Sequence, residues 1–257
     1  MTKPQAIQPG DHVGVTFDDD DSLAATTLDF VEQGRRAGAR VLVFAAPHLA
    51  GSLPGVQVME PRSTLDGLMD FYAEAVRQAA TEGRSGLWTS VEMSWARAID
   101  PDELVAAESG LNTLFGDGRL TAICHYDTRL FPPAQLTRFH QAHPVGREAA
   151  CLRHRTTSAG VTFTGEADRT NLLAWQALTR ALPDGEAVID ITGMSFLDVR
   201  AMAQLGLVAA ARCAPLSILA CPGQSAHLRL LRVDRVARLV TVEEPALRGA
   251  GRVMPYG

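Results

Sequence analysis

Residues 12–45 read HVGVTFDDDDSLAATTLDFVEQGRRAGARVLVFA, and this stretch decides the fold class. HVGVTF (His12–Phe17) has the apolar and β-branched density of a buried strand. Asp18 to Asp21 read as a loop, with Ser22 as the helix N-cap. Leu23, Thr27, Phe30 and Val31 then recur at helical spacing up to Ala37. Gly38 ends that helix, and RVLVFA (Arg40–Ala45) is a second strand. A strand, a helix and a strand with connections this short imply parallel strands and a right-handed crossover.

The rhythm continues along the chain. A helix capped by Ser63 or Thr64 runs to about Thr81, and GLWTSVEM (Gly86–Met93) is strand-like. Asp100-Pro101 opens a helix to Phe115 with proline at its first position. LTAICHY (Leu120–Tyr126) is a strand, and a short helix from Pro133 to Gln141 stops before Pro144. This alternation predicts an α/β domain with a mostly parallel sheet. The stretch from Gly146 to Gly160 is polar and suits a linker or a first edge strand. The pattern then restarts with strands at Gly160–Thr164, Ala187–Ile191 and Leu216–Cys221, and helices at Asn171–Leu182, Val199–Arg212 and Gln224–Leu231. The resulting division is a first domain over residues 1–146, a linker over 147–159, a second and smaller α/β domain over 160–245, and a frayed tail from 246 to 257.

Composition limits the function classes. Of 257 residues, 46% are hydrophobic and 21% charged, which excludes disorder, collagen and coiled coil. No apolar run reaches the roughly 18 residues of a membrane span, and MTKPQAIQPGDH lacks the apolar core of a secretory signal. Four cysteines without a CxxC pair give neither a zinc motif nor a disulfide framework, so a reduced, cytoplasmic protein is expected. Residues 1–146 carry 11 Lys+Arg against 19 Asp+Glu, a net of -8; residues 147–257 carry 13 against 10, a net of +3. The asymmetry supports two domains and disfavours nucleic acid on the first. Arg229, Arg232, Arg235 and Arg238 recur at intervals of three; a solvated face is favoured there over a phosphate or partner site.

A parallel strand, a loop and a helix normally make a phosphate site at the helix N-terminus. Here the loop is four aspartates without glycine, lysine or GK[ST], so nucleotide hydrolysis is discounted, and a hard-cation site lacks its turn glycine. No HExxH surrounds His140 and His143. Cys124 and His125 point to opposite faces of a strand, no GxSxG occurs, and Cys124 and Cys151 read as core or linker thiols. Neither catalytic residues, nor a metal, nor a cofactor is expected. SVEMSWA (Ser90–Ala96) stands out, because Glu92, Met93 and Trp95 lie at the carboxyl end of a parallel strand, where open sheets bind ligands. Glu108 lies on the next helix, and Tyr126 and Asp127 end the next strand. These side chains either enclose a small, partly apolar ligand, or pack as core and hydrogen-bonded surface.

The segments GDHVGVTFDDDD, VEQGRRAGARVLVF, GLWTSVEMSWA, AAESGLNTLF, ICHYDTRLFPP and His143-Pro144 together resemble the MEDS domain, over about Gly10 to Pro144. The resemblance implies a RecA-like, mostly parallel sheet that has lost its P-loop, and a role in sensing small organic compounds in prokaryotic signalling. It places Glu92, Trp95, Glu108, Tyr126 and His143 at family-typical positions, as expected ligand-binding residues. TGEADRTN (Thr164–Asn171) and AVIDITGMSFLDVRAMAQL (Ala187–Leu205) resemble a STAS domain of the anti-sigma factor antagonist type. Asp190 is then expected at a strand exit, with a helix starting near Asp198. Where phosphorylatable members carry Ser or Thr, this chain has Val199, so the usual phosphoswitch is absent.

Taken together, the expectation is a non-enzymatic bacterial signalling protein. Its first half would sense a small molecule or a protein. Its second half would bind an anti-sigma factor or other kinase-fold partner through Asp198, Val199 and Arg200; a homodimer is left open. Two alternatives stand beside it: an ATP-dependent regulator or enzyme using the P-loop-like topology, and a nucleic-acid-binding regulator using the arginine stripe.

Overall fold

The computed structural model describes residues 6–46, 51–53, 56, 58–61, 64–146 and 150–243. In the first half, β1 (His12–Phe17), β2 (Arg40–Phe44), β3 (Val58–Met59), β4 (Leu87–Glu92), β5 (Leu120–Asp127) and β6 (Val145–Gly146) form one sheet in the order β3-β2-β4-β5-β1-β6. Every pairing in it is parallel. The helices α1 (Asp20–Arg36), α2 (Leu68–Thr81), α3 (Pro101–Leu111) and α4 (Pro133–Ala142) supply the crossovers. Strand alternation divides the core between the two faces. Val13, Val15, Trp88 and Ile123 meet Phe30 of α1. Val91, Cys124 and Tyr126 meet Leu104 and Val105 of α3 and Phe139 of α4.

The helix starts depart from expectation in informative ways. Asp19, not Ser22, caps α1: its carboxylate accepts from the Ser22 amide at 2.6 Å, and a carboxylate is favoured over a hydroxyl at the positive end of a helix. The helix α2 begins after Gly67, which takes a left-handed φ of 63°. Thr64 lies in a bend before it, and Ser63 falls outside the described residues. Asp100 caps α3 as expected, but α3 ends at Leu111 and continues as a 3-10 turn over Asn112–Phe115.

The second half forms a five-stranded sheet of β7 (Leu152–Thr157), β8 (Gly160–Ala167), β9 (Ala187–Leu197), β10 (Leu216–Ala220) and β11 (Arg238–Thr241), in the order β11-β10-β9-β8-β7. Only β7 runs antiparallel, so the polar stretch takes the edge-strand alternative and residues 152–157 are sheet rather than linker. Three helices, α5 (Leu172–Arg180), α6 (Val199–Ala211) and α7 (Pro222–Leu230), pack around a core holding Trp175, Phe163 and Ile189. The strand β9 is longer than its sequence suggests, so Asp190 sits inside it rather than at its exit. Its carboxylate accepts from the Thr192 amide and hydroxyl at 2.9 and 2.7 Å, beside a register shift against β8. α7 stops at Leu230 and Arg232 adopts a φ of 59°, so the four exposed arginines do not share one helix face. The tail from residue 246 lies outside the described residues. No described helix is long and apolar enough to cross a membrane.

The two halves are packed together. Leu173 of α5 joins the apolar cluster of the first half. The Asn171 amide donates to the carbonyls of Pro144, Ala150 and Glu166. Thr156 donates its amide to the Gly116 carbonyl, and a Cβ on Gly116 would fall 2.1 Å from the Thr156 hydroxyl, so only glycine permits this approach. Arg153 of β7 forks onto the buried Asp11 carboxylate at 2.7 and 2.9 Å. Removing one partner of a buried pair leaves the other charge uncompensated. Arg153→Ala is therefore expected to lower unfolding free energy by about 3 kcal/mol in denaturant titration. Adding Asp11→Asn to Arg153→Leu should recover much of that loss, because neither charge is then stranded.

Candidate functional site

The loop where a nucleotide phosphate would sit uses its charges internally. Asp19 caps α1, and Asp20 accepts from the Arg129 guanidinium at 2.9 Å. The same guanidinium forks onto Asp127 at the end of β5, at 2.7–3.0 Å. The hydrogen bonds from Arg129 hold the Asp127 carboxyl below the usual carboxylate range against the opposing effect of burial. The carboxyl end of β1 and β5 is thus an acid–guanidinium clamp.

A polar cluster lies deeper, between the sheet and α3. On α3, Leu104, Glu108 and Leu111 form one buried stripe, so Glu108 occupies a position that amphipathic spacing reserves for an apolar side chain. Cys124 and Tyr126 are two apart on β5 and share a face. His12 opens β1 and is paired in register with Ala122, which puts it on that face too. His143 enters from the C-terminus of α4, and Gly14 makes room for it: a Cβ there would meet the imidazole Cγ at 2.9 Å.

The side chains converge on one carboxylate. His12 Nε2 lies 3.2 Å and His143 Nε2 3.5 Å from Glu108 Oε2. The Tyr126 hydroxyl donates to Glu108 Oε1 at 3.4 Å, and Cys124 Sγ lies 3.6 Å from His12 Nε2 and 4.0 Å from Glu108 Oε2. All five residues are buried. The Asn112 amide nitrogen donates to the Ala142 carbonyl at 2.8 Å, which turns its Oδ1 toward His12 Nδ1, also at 2.8 Å. His143 Nδ1 faces the Phe139 carbonyl at 2.7 Å and donates to it. Both imidazoles therefore carry a proton on Nδ1 and direct Nε2 into the cluster.

Burial and this crowding set the charge states. Burial pushes the Glu108 carboxyl up, but the hydrogen bond from His12, the nearby imidazoles and Tyr126 outweigh it and hold Glu108 below the usual range. Burial, reinforced by His12, lowers His143 to about 3, so it is neutral. Burial and then the Glu108 carboxylate raise Cys124 and Tyr126 well above their ordinary values. The thiol is protonated, enclosed and unsuited to nucleophilic attack.

The expected site residues divide between two places. Glu108, Tyr126 and His143 are brought together. Glu92 lies on the opposite face of the sheet with Ser90, above a cavity of about 10 Å³ against α1, room for one water. The Glu92 carboxylate accepts from the Ser94 amide and hydroxyl at 2.7 and 2.6 Å. Trp95 packs on the apolar cluster that holds Tyr126, and among the described residues its buried indole N–H has no acceptor. His12, Cys124 and Asn112 were not anticipated. Only the β1–β5 register and the turn after α3 bring them in, and neither can be read from spacing within one segment.

Asn112→Ala strands His12 Nδ1 and the Ala142 carbonyl together. At about 1–3 kcal/mol for each unsatisfied buried group, thermal unfolding is expected to show a loss of about 2–6 kcal/mol. A loss below about 0.5 kcal/mol would show that the His12 imidazole is not oriented through Asn112.

Residues 11–144, more than half of the chain, match the family model described as MEDS: MEthanogen/methylotroph, DcmR Sensory domain. Among curated proteins none matches. Among solved structures the chain is similar to the flagellar accessory protein FlaH from Methanocaldococcus jannaschii, at 10% identity and a TM-score of 0.33, over 66% of this chain and 82% of that one.

Proposed function

The chain belongs to the MEDS family, and on that premise we propose that it is a non-catalytic signalling protein whose second half docks a protein partner. The observation that carries the docking part is an exposed apolar pair at the start of α6. Val199 is 67% and Phe196 51% exposed, on either side of the capping Asp198. Large apolar side chains this open within four residues of chain favour a protein contact over a solvated turn. Asp198 accepts from the Ala201 amide at 2.7 Å, so the helix start is rigid before any partner arrives.

A STAS-like reading of this half is supported by a strand leading into an aspartate-capped helix, with a mostly parallel sheet around it. On that reading the partner is an anti-sigma factor or another kinase-fold protein, meeting Asp198, Val199 and Arg200. Val199 cannot carry a phosphate, so the surface stays neutral and competent. The Ser195 hydroxyl donates to the Gly165 carbonyl and the Thr192 hydroxyl to Asp190, which ties both nearby hydroxyls into the sheet. Control of docking then falls to the first half, whose α3 and α4 pack on α5.

With a partner recovered from the native host by cross-linking and then purified, Val199→Asp is expected to weaken binding by about tenfold or more, ~1.4 kcal/mol. Leu230→Asp, at an exposed site on α7, should leave binding unchanged. Equal affinity for wild type and Val199→Asp would remove this helix start as the docking surface. Separately, isothermal titration with Mg-ATP is expected to give no binding heat, since the acidic loop repels a triphosphate; micromolar affinity would favour the ATP-dependent alternative instead.

A further inference from the structure

We propose that His12, Glu108, Cys124 and His143 form a tetrahedral site for a zinc-class divalent cation. The four ligand atoms lie within 4.8 Å of one another. Bonds of about 2.0 Å to nitrogen or oxygen and about 2.3 Å to sulfur set tetrahedral edges of roughly 3.3 Å between nitrogen and oxygen, and roughly 3.5 Å to sulfur. The edges found here are 3.2 and 3.5 Å from the imidazoles to Glu108, 3.6 Å from His12 to Cys124, and 4.0 Å from Glu108 to Cys124. Of the six edges, three of these four fall at the tetrahedral values, the Glu108–Cys124 edge is longer, and the remaining two, from His143 to His12 and to Cys124, lie within 4.8 Å.

Hydrogen bonding outside the ligand set points the same way. Asn112 Oδ1 and the Phe139 carbonyl each take an Nδ1 proton, which turns both Nε2 atoms toward the Glu108 carboxylate. Metal-binding histidines are held in this tautomer by such partners. At His143, Nε2 and the carboxylate then meet acceptor to acceptor. His143 Nε2 is buried and has no hydrogen-bond partner among the described residues. A proton on one ring nitrogen satisfies one contact, whereas a single cation satisfies all four ligands.

Charge and ligand softness select the ion. A divalent cation, one carboxylate, one thiolate and two neutral imidazoles sum to zero, as a buried site favours. Binding sends the thiol proton to solvent, and the thiolate takes its place as ligand. A sulfur ligand excludes magnesium and calcium in favour of zinc, cobalt or iron. Four protein ligands close the coordination sphere, as in structural rather than catalytic zinc sites. The Tyr126 hydroxyl holds the second Glu108 oxygen and fixes the carboxylate as a one-oxygen ligand.

The test uses the full chain produced in zinc-supplemented and, separately, cobalt-supplemented medium, so that metal is present as the protein folds. Mass spectrometry is expected to find about one metal per chain. The cobalt form should show a near-ultraviolet thiolate-to-cobalt band and the intense visible bands of tetrahedral cobalt. Cys124→Ser should lose the near-ultraviolet band, and His12→Gln and His143→Gln should lower bound metal at least tenfold. Cys213→Ser and Cys221→Ser should change neither. X-ray absorption of the wild-type zinc form decides the matter even if a variant fails to fold: one sulfur at about 2.3 Å with three lighter atoms near 2.0 Å is expected. A metal-free chain from both media, a band that survives Cys124→Ser, or a zinc shell without one sulfur each overturns the site, and the cluster is then a buried ion pair. None of these results bears on the Val199 docking measurement, which reads the other half.

Discussion

A carboxylate held away from water is the constraint around which the first half is arranged. Glu108 sits on a helix face that otherwise buries leucine and valine, and moving an isolated carboxylate there is prohibitive without close partners. Each neighbouring feature answers that demand. Asp100 and Pro101 fix where α3 begins and so which face Glu108 takes. Gly14 surrenders a side chain so that His143 can reach in. The 3-10 turn after α3 places Asn112 to orient His12. The helix, two strands and the α4 terminus are all committed to one oxygen pair.

The parts of the fold visible in the sequence are those set by local periodicity. His12–Phe17, Leu87–Glu92 and Leu120–Asp127 announce themselves as buried strands, and the cap at Asp100 and the cap at Asp198 are readable because capping is a matter of three or four neighbouring residues. Interactions that depend on register are not readable in this way. Cys124 and His125 look like a failed pair when considered on one strand. The useful partner of Cys124 is His12, 112 positions away, and it is parallel pairing with β1 that puts them together. Glu92 illustrates the converse. It stands at the right edge of the sheet, but the two-residue period of the strand turns it to the far face from Glu108. β9 ran past its expected end because Thr192 and Asp190 satisfy each other inside the strand, a local bond that mimics a turn without ending the pairing.

The second half differs in kind. Its core is almost wholly apolar around Trp175, and its distinctive chemistry is at the surface, where Phe196 and Val199 remain open beside a rigid helix start. One half therefore hides polar groups and the other displays apolar ones. The seam between them contains both kinds of contact: Leu173 packs into the first half's apolar cluster, and Arg153 reaches Asp11 at the foot of β1, one residue before His12.

His154 belongs to β7 of the second half, yet its ring bonds the Asn112 backbone, and Asn112 in turn holds His12. The residues of the polar cluster are buried beside that contact, so exchange within it has to wait for the packing to open. Such openings are rare and slow compared with diffusion. Exchange of any group held in the cluster is therefore set by the frequency of those openings rather than by arrival from solvent. Residues along the seam, by setting how often the enclosure opens, would then tune the rate of that exchange independently of its equilibrium.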